Sequence, residues 1–174
     1  TRLSGGIDSA TSYMKVSAYA ASGQAVPDDI AGAVVVFLHD FYDSPHIYPD
    51  LVFGDFWQWA CFTIDTLSAA GISFYLKPHP NQVQLSSDVL DQLRALYPRV
   101  RFLPQGLTNA QLAAAGLACG VTVYGTIAHE LAYLGVPTIG WDHGGVQETL
   151  AAMFPAGAVA AGDRRALLER SREF

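Results

Sequence analysis

Residues 117–141 read LACGVTVYGTIAHELAYLGVPTIGW, and the order of features in this one stretch decides the fold class. The run up to Tyr124 is short, apolar and rich in β-branched residues, which predicts a strand. A Gly125-Thr126 turn follows, and Ala128, Leu131 and Leu134 then recur at helical spacing, so the next segment has one face to pack. Gly135 is placed to close that helix, and VPTIGW supplies another apolar strand. Strand, helix and strand in this order make a unit whose two strands run parallel.

The same alternation extends towards the N-terminus. AVVVFL, residues 33–38, is an unbroken apolar run, as a strand covered on both faces requires. A helix is predicted over 55–70, with Gly71 to end it, and the aromatic residues Phe53, Phe56, Trp57 and Trp59 around its start are read as core packing. ISFYLK (72–77) reads as a strand, Ser86 or Ser87 as the cap of a helix to about Leu96, VRFL (100–103) as a strand and Thr108 as the cap of a short helix. A helical segment over 9–22 and a link through Asp29 come first; helices over 146–153 and from 163 onward come last. The expected architecture is α/β, a Rossmann-like three-layer sandwich with a mainly parallel sheet over residues 31–174, preceded by a helical lead-in or domain junction over 1–30.

Composition narrows the function classes. The chain has 174 residues, 51% of them apolar and 15% charged, so it is too hydrophobic for disorder and long enough for one well-filled core. A net charge of −6 with scattered Lys and Arg argues against nucleic acid as a partner, because phosphate backbones are bound by clustered positive charge. No apolar run reaches a membrane span. Cys61 and Cys119 lie far apart in apolar surroundings and are read as buried free thiols, which fits a cytoplasmic protein. The start without Met or a signal pattern is read as the cut end of a longer polypeptide.

In parallel sheets the ligand lies beyond the carboxyl ends of the strands, so the loops that follow each strand hold the candidate chemistry. Lys77-Pro78-His79-Pro80 follows the second strand, and its two prolines stiffen the segment that carries His79, an imidazole able to donate to a phosphate or a base. At Gly125-Thr126 a small turn exposes the N–H groups of a helix start, where the helix dipole also favours an anion. Glu130, one turn further, can accept from ribose hydroxyls. The loop His39-Asp40-Phe41-Tyr42-Asp43-Ser44-Pro45-His46 is dense in ionisable groups that can contact a sugar or a phosphate, with Asp43 and His46 among its candidates. A metal held by His39, Asp43 and His46 is the alternative there, although the spacing is not that of a helical metal motif. Lys77, His39, Asp40, Asp142 and His143 are further candidates, the last two from the Asp142-His143-Gly144-Gly145 turn after the fifth strand.

FLHDFYDSPH, then KPHP, then VYGTIAHELAYLGVPTIG together resemble the nucleotide-sugar-binding half of GT-B glycosyltransferases. More narrowly, they look like bacterial capsule and surface polysaccharide biosynthesis proteins related to the Kdo transferases. The resemblance runs from about Val34 to Gly145. It implies a CMP-activated sugar as donor, with His79 and Pro80 on the cytidine phosphate, Gly125 and Thr126 on phosphate, and Glu130 on the ribose. It implies a glycan or glycolipid acceptor, no cofactor and no metal, a site in the cytoplasm or at the inner face of the bacterial membrane, and a catalytic base on a second, N-terminal Rossmann-like domain outside this chain. The chain carries Gly125-Thr126 where related CMP-sugar enzymes often carry paired serines.

One motif points elsewhere. Ser4-Gly5-Gly6-Ile7-Asp8-Ser9 spells the SGGxDS loop of PP-loop ATP pyrophosphatases, and an ATP-dependent adenylating enzyme built on Ser4–Ser9 is the alternative reading. That loop needs a hydrophobic strand before it, and only Thr1-Arg2-Leu3 precede it. Its place in the main reading is a loop and helix near the domain junction, with Lys15 and Tyr19 facing the cleft.

Overall fold

A computed structural model describes residues 23–42, 53–80, 84–123 and 125–140. In chain order they form β1 (Val34–Phe37), α1 (Phe56–Ala69), β2 (Phe74–Lys77), α2 (Gln84–Leu96), β3 (Arg101–Phe102), α3 (Asn109–Ala114), β4 (Cys119–Val121), α4 (Thr126–Tyr133) and β5 (Thr138–Ile139). The five strands make one all-parallel sheet in the order β3-β2-β1-β4-β5. The fold class expected from the alternation of elements is therefore the observed one, α/β and Rossmann-like. The segments predicted over 9–22, 146–153 and beyond 163 lie outside the described residues.

Each face of the sheet carries its own core. Val35, Phe37 and Tyr75 pack with Leu112 of α3 and Leu131 of α4. The alternate residues Val36, Phe74 and Leu76 pack with Phe56, Trp59 and Ile64 of α1 and Leu90 and Leu93 of α2. Two apolar faces on one strand leave no room for polar alternation, which is why β1 and β2 read as continuous apolar runs. Phe56 and Trp59 are buried and Phe53 and Trp57 lean on the same cluster, as the core reading of these aromatics expects.

Helix ends follow the local signals. Asp55 caps α1 by accepting from Gln58 N at 2.8 Å, and Thr108 and Gln111 form a reciprocal capping box at α3. At the end of α4, Gly135 N donates to Ala132 O and Val136 N to Leu131 O, a Schellman closure. It needs the positive φ of 75° that glycine adopts without a Cβ penalty.

The expected cap at Ser86 or Ser87 is corrected. Helix α2 already spans Gln84–Leu96, and Ser86 lies inside it, fully buried, donating its hydroxyl to Asp40 of the loop after β1. Its polarity serves a tertiary tie instead of a helix start. The two cysteines are free, as expected, but each is partly exposed instead of fully buried.

Residues 23–30 hold no strand or helix, yet they are built into the domain. Ile30 is 2% exposed in the α3/α4-side core, with Val26 against it. Asp29 accepts from the Tyr75 hydroxyl and from Arg101, whose guanidinium lies 4.0 Å from the Tyr75 ring centre and reaches Ser73 Oγ at 2.9 Å. The Tyr75 hydroxyl first, and the Arg101 guanidinium next, hold the Asp29 carboxyl below its usual range.

Candidate functional site

The strand order contains one reversal. From β1 the chain steps outward through β2 to β3, then returns to the other side of β1 for β4 and β5. Helices α1 and α2 cover one face and α3 and α4 the other, so the layers part at the carboxyl ends of β1 and β4. A doubly wound sheet opens its ligand crevice at such a switch point.

The loops beyond these strand ends bring several expected residues together. Phe37 pairs with Lys77 and Val36 with Val121. His39 and His79 therefore stand equally far past β1 and β2, with the Gly125-Thr126 turn just past β4 on the other side. With neighbouring strands about 4.8 Å apart, the loops after β2 and β4 leave the sheet about 10 Å from each other, with His39 between them.

His39 is fixed by what surrounds it. Its ring stacks on Phe56 with centroids 4.7 Å apart and 9° between planes, and its Nε2 lies 3.4 Å from Thr122 Oγ1. Asp40, next in the chain, accepts from Tyr42 N and from the buried Ser86 hydroxyl, so the start of this loop is anchored to α2.

Across from His39, α4 begins without a side-chain cap. Gly125 at its N-cap has φ 110° and ψ 179°, a conformation essentially reserved for glycine. Among the described residues no group accepts from the N–H of Thr126 or Ile127. Donors at a helix start, with the positive end of the dipole behind them, suit a bound anion. An added Cβ at Gly125 would stand 3.4 Å from His39 Cε1. Gly125→Ala is therefore expected to cost roughly 1–3 kcal/mol in backbone strain and to press on the imidazole. Denaturant unfolding checks the first effect, and a shifted His39 resonance in NMR titration checks the second.

Pro78-His79-Pro80 is held from β3. Gln105 Nε2 donates to His79 O at 2.7 Å and to Pro80 O at 3.0 Å, a role that sequence reading missed. Beside this loop a cleft of about 550 Å³ opens against α2, with Pro78, Ser87, Asp91, Arg94 and Gln105 among its walls.

Glu130 lies on the α3 side of α4 and accepts from Asn109 Nδ2, a partner the sequence did not suggest. Lys77 is 5% exposed at the end of β2, with its ammonium 5.9 Å from the Phe37 ring centre. Burial pushes the amine down to about 8, against an opposing pull from Glu130.

Asp43, His46, Asp142, His143, Lys15, Tyr19 and the Ser4–Ser9 motif lie outside the described residues, and the loop after β1 is described as far as Tyr42. Among the described residues no group of three or more His, Cys, Asp or Glu side chains is placed to hold a metal ion, and no helix is long and apolar enough to cross a membrane. Comparison with protein-family models, with curated proteins and with solved structures returns no match.

Proposed function

We propose that the chain is the donor-binding half of a GT-B glycosyltransferase that holds a nucleotide-activated sugar, a CMP-sugar before others, for bacterial capsule or surface polysaccharide synthesis. One observation carries the reading: at the β1/β4 switch point the uncapped start of α4 faces His39, with the His79 loop level with it on β2. The loops that carry these groups leave the sheet about 10 Å from each other, with His39 between them. The resemblance of FLHDFYDSPH, KPHP and the VYGTIAHE stretch to that enzyme group supplies the choice of ligand.

In this reading the phosphate lies on the Thr126 and Ile127 N–H groups and the Thr126 hydroxyl, with His79 beside it. As the bond between sugar and phosphate breaks, negative charge grows on the leaving oxygen. Fixed N–H dipoles and an imidazole donor stabilise that charge without reorganising. Asp43 and His46 face the sugar or the acceptor, a glycan or glycolipid. The base that deprotonates the acceptor comes from a second Rossmann-like domain of the same polypeptide.

Calorimetric titration with CMP, UDP and ATP tests the assignment. CMP is expected to bind, and His79→Ala to weaken it roughly tenfold or more, since a hydrogen bond to a charged group contributes about 1.5–3 kcal/mol. In the full-length enzyme the same substitution abolishes donor turnover with the fold intact. Binding of ATP but neither CMP nor UDP would sink this reading and move attention to Ser4–Ser9.

A further inference from the structure

Gln105 takes hold of the His79 loop at the point where the backbone ladder gives out. Along β2 the carbonyls alternate between neighbours: Leu76 O accepts from Leu103 N on the β3 side at 2.8 Å, and Lys77 O accepts from Leu38 N on the β1 side at 2.9 Å. Pro78 is therefore the next residue to face β3, and without an N–H it ends the ladder there. A side chain takes the two carbonyls that follow. Gln105 Nε2 donates to His79 O at 2.7 Å and to Pro80 O at 3.0 Å, one hydrogen of the amide for each.

An extended chain would point these consecutive carbonyls to opposite sides. Both meet one nitrogen, so the segment turns here and is gripped from outside. The proline rings fix φ at positions 78 and 80, but they leave ψ of His79 a broad extended range and ψ of Pro80 open. Each of these torsions sets the direction of one gripped carbonyl, so Gln105 narrows what the rings leave free.

The grip has a rigid base. Leu103 and Leu107, on either side of Gln105, are buried in the α3/α4-side core, and Leu107 N closes a turn onto Pro104 O at 3.1 Å. Thr108 then opens the capping box of α3. Gln105 itself is exposed, so its two hydrogen bonds, not burial, set its pose.

We propose that Gln105 is a positioning residue of the crevice: it reaches His79 only through the backbone, yet it fixes the direction from which the His79 imidazole meets the bound phosphate. The inference rests on the nucleotide reading above. An imidazole aimed before the ligand arrives loses little freedom on binding, and a hydrogen bond weakens steeply with misalignment. Gln105 thus contributes to affinity without a ligand contact of its own.

The experiment is a double-mutant cycle in CMP affinity, by calorimetric titration of the wild type, Gln105→Met, His79→Ala and the pair. Methionine keeps the length of the side chain and removes the donor, and at this exposed position it leaves the fold in place. Gln105→Met is expected to weaken CMP roughly three- to tenfold, the scale of one or two neutral hydrogen bonds. In the His79→Ala background the same substitution is expected to change affinity by less than about twofold, because no imidazole is left to aim. An equal loss in both backgrounds overturns the inference, since Gln105 would then meet the ligand itself or act through the fold at large. Unchanged affinity of Gln105→Met with His79 intact overturns it as well. Absence of any CMP binding by the wild type is a failure of the nucleotide reading, and the grip is then decided on the free protein. Carbon-13 relaxation of the His79 ring is expected to give a lower order parameter in Gln105→Met than in the wild type. Equal order parameters overturn the part assigned to Gln105.

Discussion

Alanine at position 120 is expected to lower the melting temperature by roughly 2–10 °C, the shift that about 1–3 kcal/mol of overpacking produces in a domain of this size. Gly120 is the middle residue of β4, and α4 lies directly on it. An added Cβ would stand 2.3 Å from Leu131 Cδ1 and 3.2 Å from Phe37 Cε2. Neither neighbour has room to retreat, since Leu131 is fully buried and Phe37 nearly so. The new methyl must therefore lift α4 away from the sheet or bend the strand. Trimming the opposing side chain tests the cause. Leu131→Ala alone costs about 2–5 kcal/mol through the cavity it leaves. The pair Gly120→Ala with Leu131→Ala should cost less than the sum, because the added methyl fills part of that cavity. Additive losses in thermal or denaturant unfolding would show that α4 does not rest on Gly120.

The second large effect is on stability against pH. Lys77 titrates at about 8 in the fold against 10.5 for the free side chain, so between these values the unfolded chain binds the extra proton. Stability contributed through this residue therefore rises as pH climbs from about 8 to about 10.5 and is flat below 8. At about 1.4 kcal/mol per pH unit, the whole effect is at most about 3.5 kcal/mol. Cys61, Cys119, Tyr75 and Tyr97, all pushed up by burial, act in the opposite sense at the alkaline end, so the raw curve mixes several groups. Subtracting the Lys77→Met curve isolates the lysine. Near pH 7 Lys77→Met is expected to be the more stable protein, in line with the gain of 1–4 kcal/mol seen when apolar groups replace buried ions. That advantage should shrink as pH rises past 8. Parallel curves from pH 7 to 10, measured by urea unfolding, would rule out a depressed lysine.

What could be read from the residues alone was what is encoded locally. The apolar run at 33–38, the cap at Thr108 and the glycines at 71 and 135 act within a few positions of themselves, and each element stands where they put it. The exception, Ser86, shows the limit of such signals: a serine near a helix start looks like a cap until a carboxylate 46 residues away claims its hydroxyl. The site suffers most from this limit. That His39 and Gly125 are neighbours follows from β4 pairing with β1 instead of β3, and no short stretch of sequence carries that choice. For the same reason Gln105 under the His79 loop, Asn109 on Glu130 and Phe56 beneath His39 were not foreseen. Each is an ordinary side chain made important by a partner far along the chain.

The clasp of Asp29 on Tyr75 and Arg101 bears on how this domain should be shortened for experiments. A cut at residue 31 strips away Ile30 and Val26 and leaves the Arg101 guanidinium on Tyr75 without its carboxylate. Trimmed versions that begin upstream of Gln24 retain that hem and should express as folded protein, whereas those starting at Gly32 should collect in the insoluble fraction.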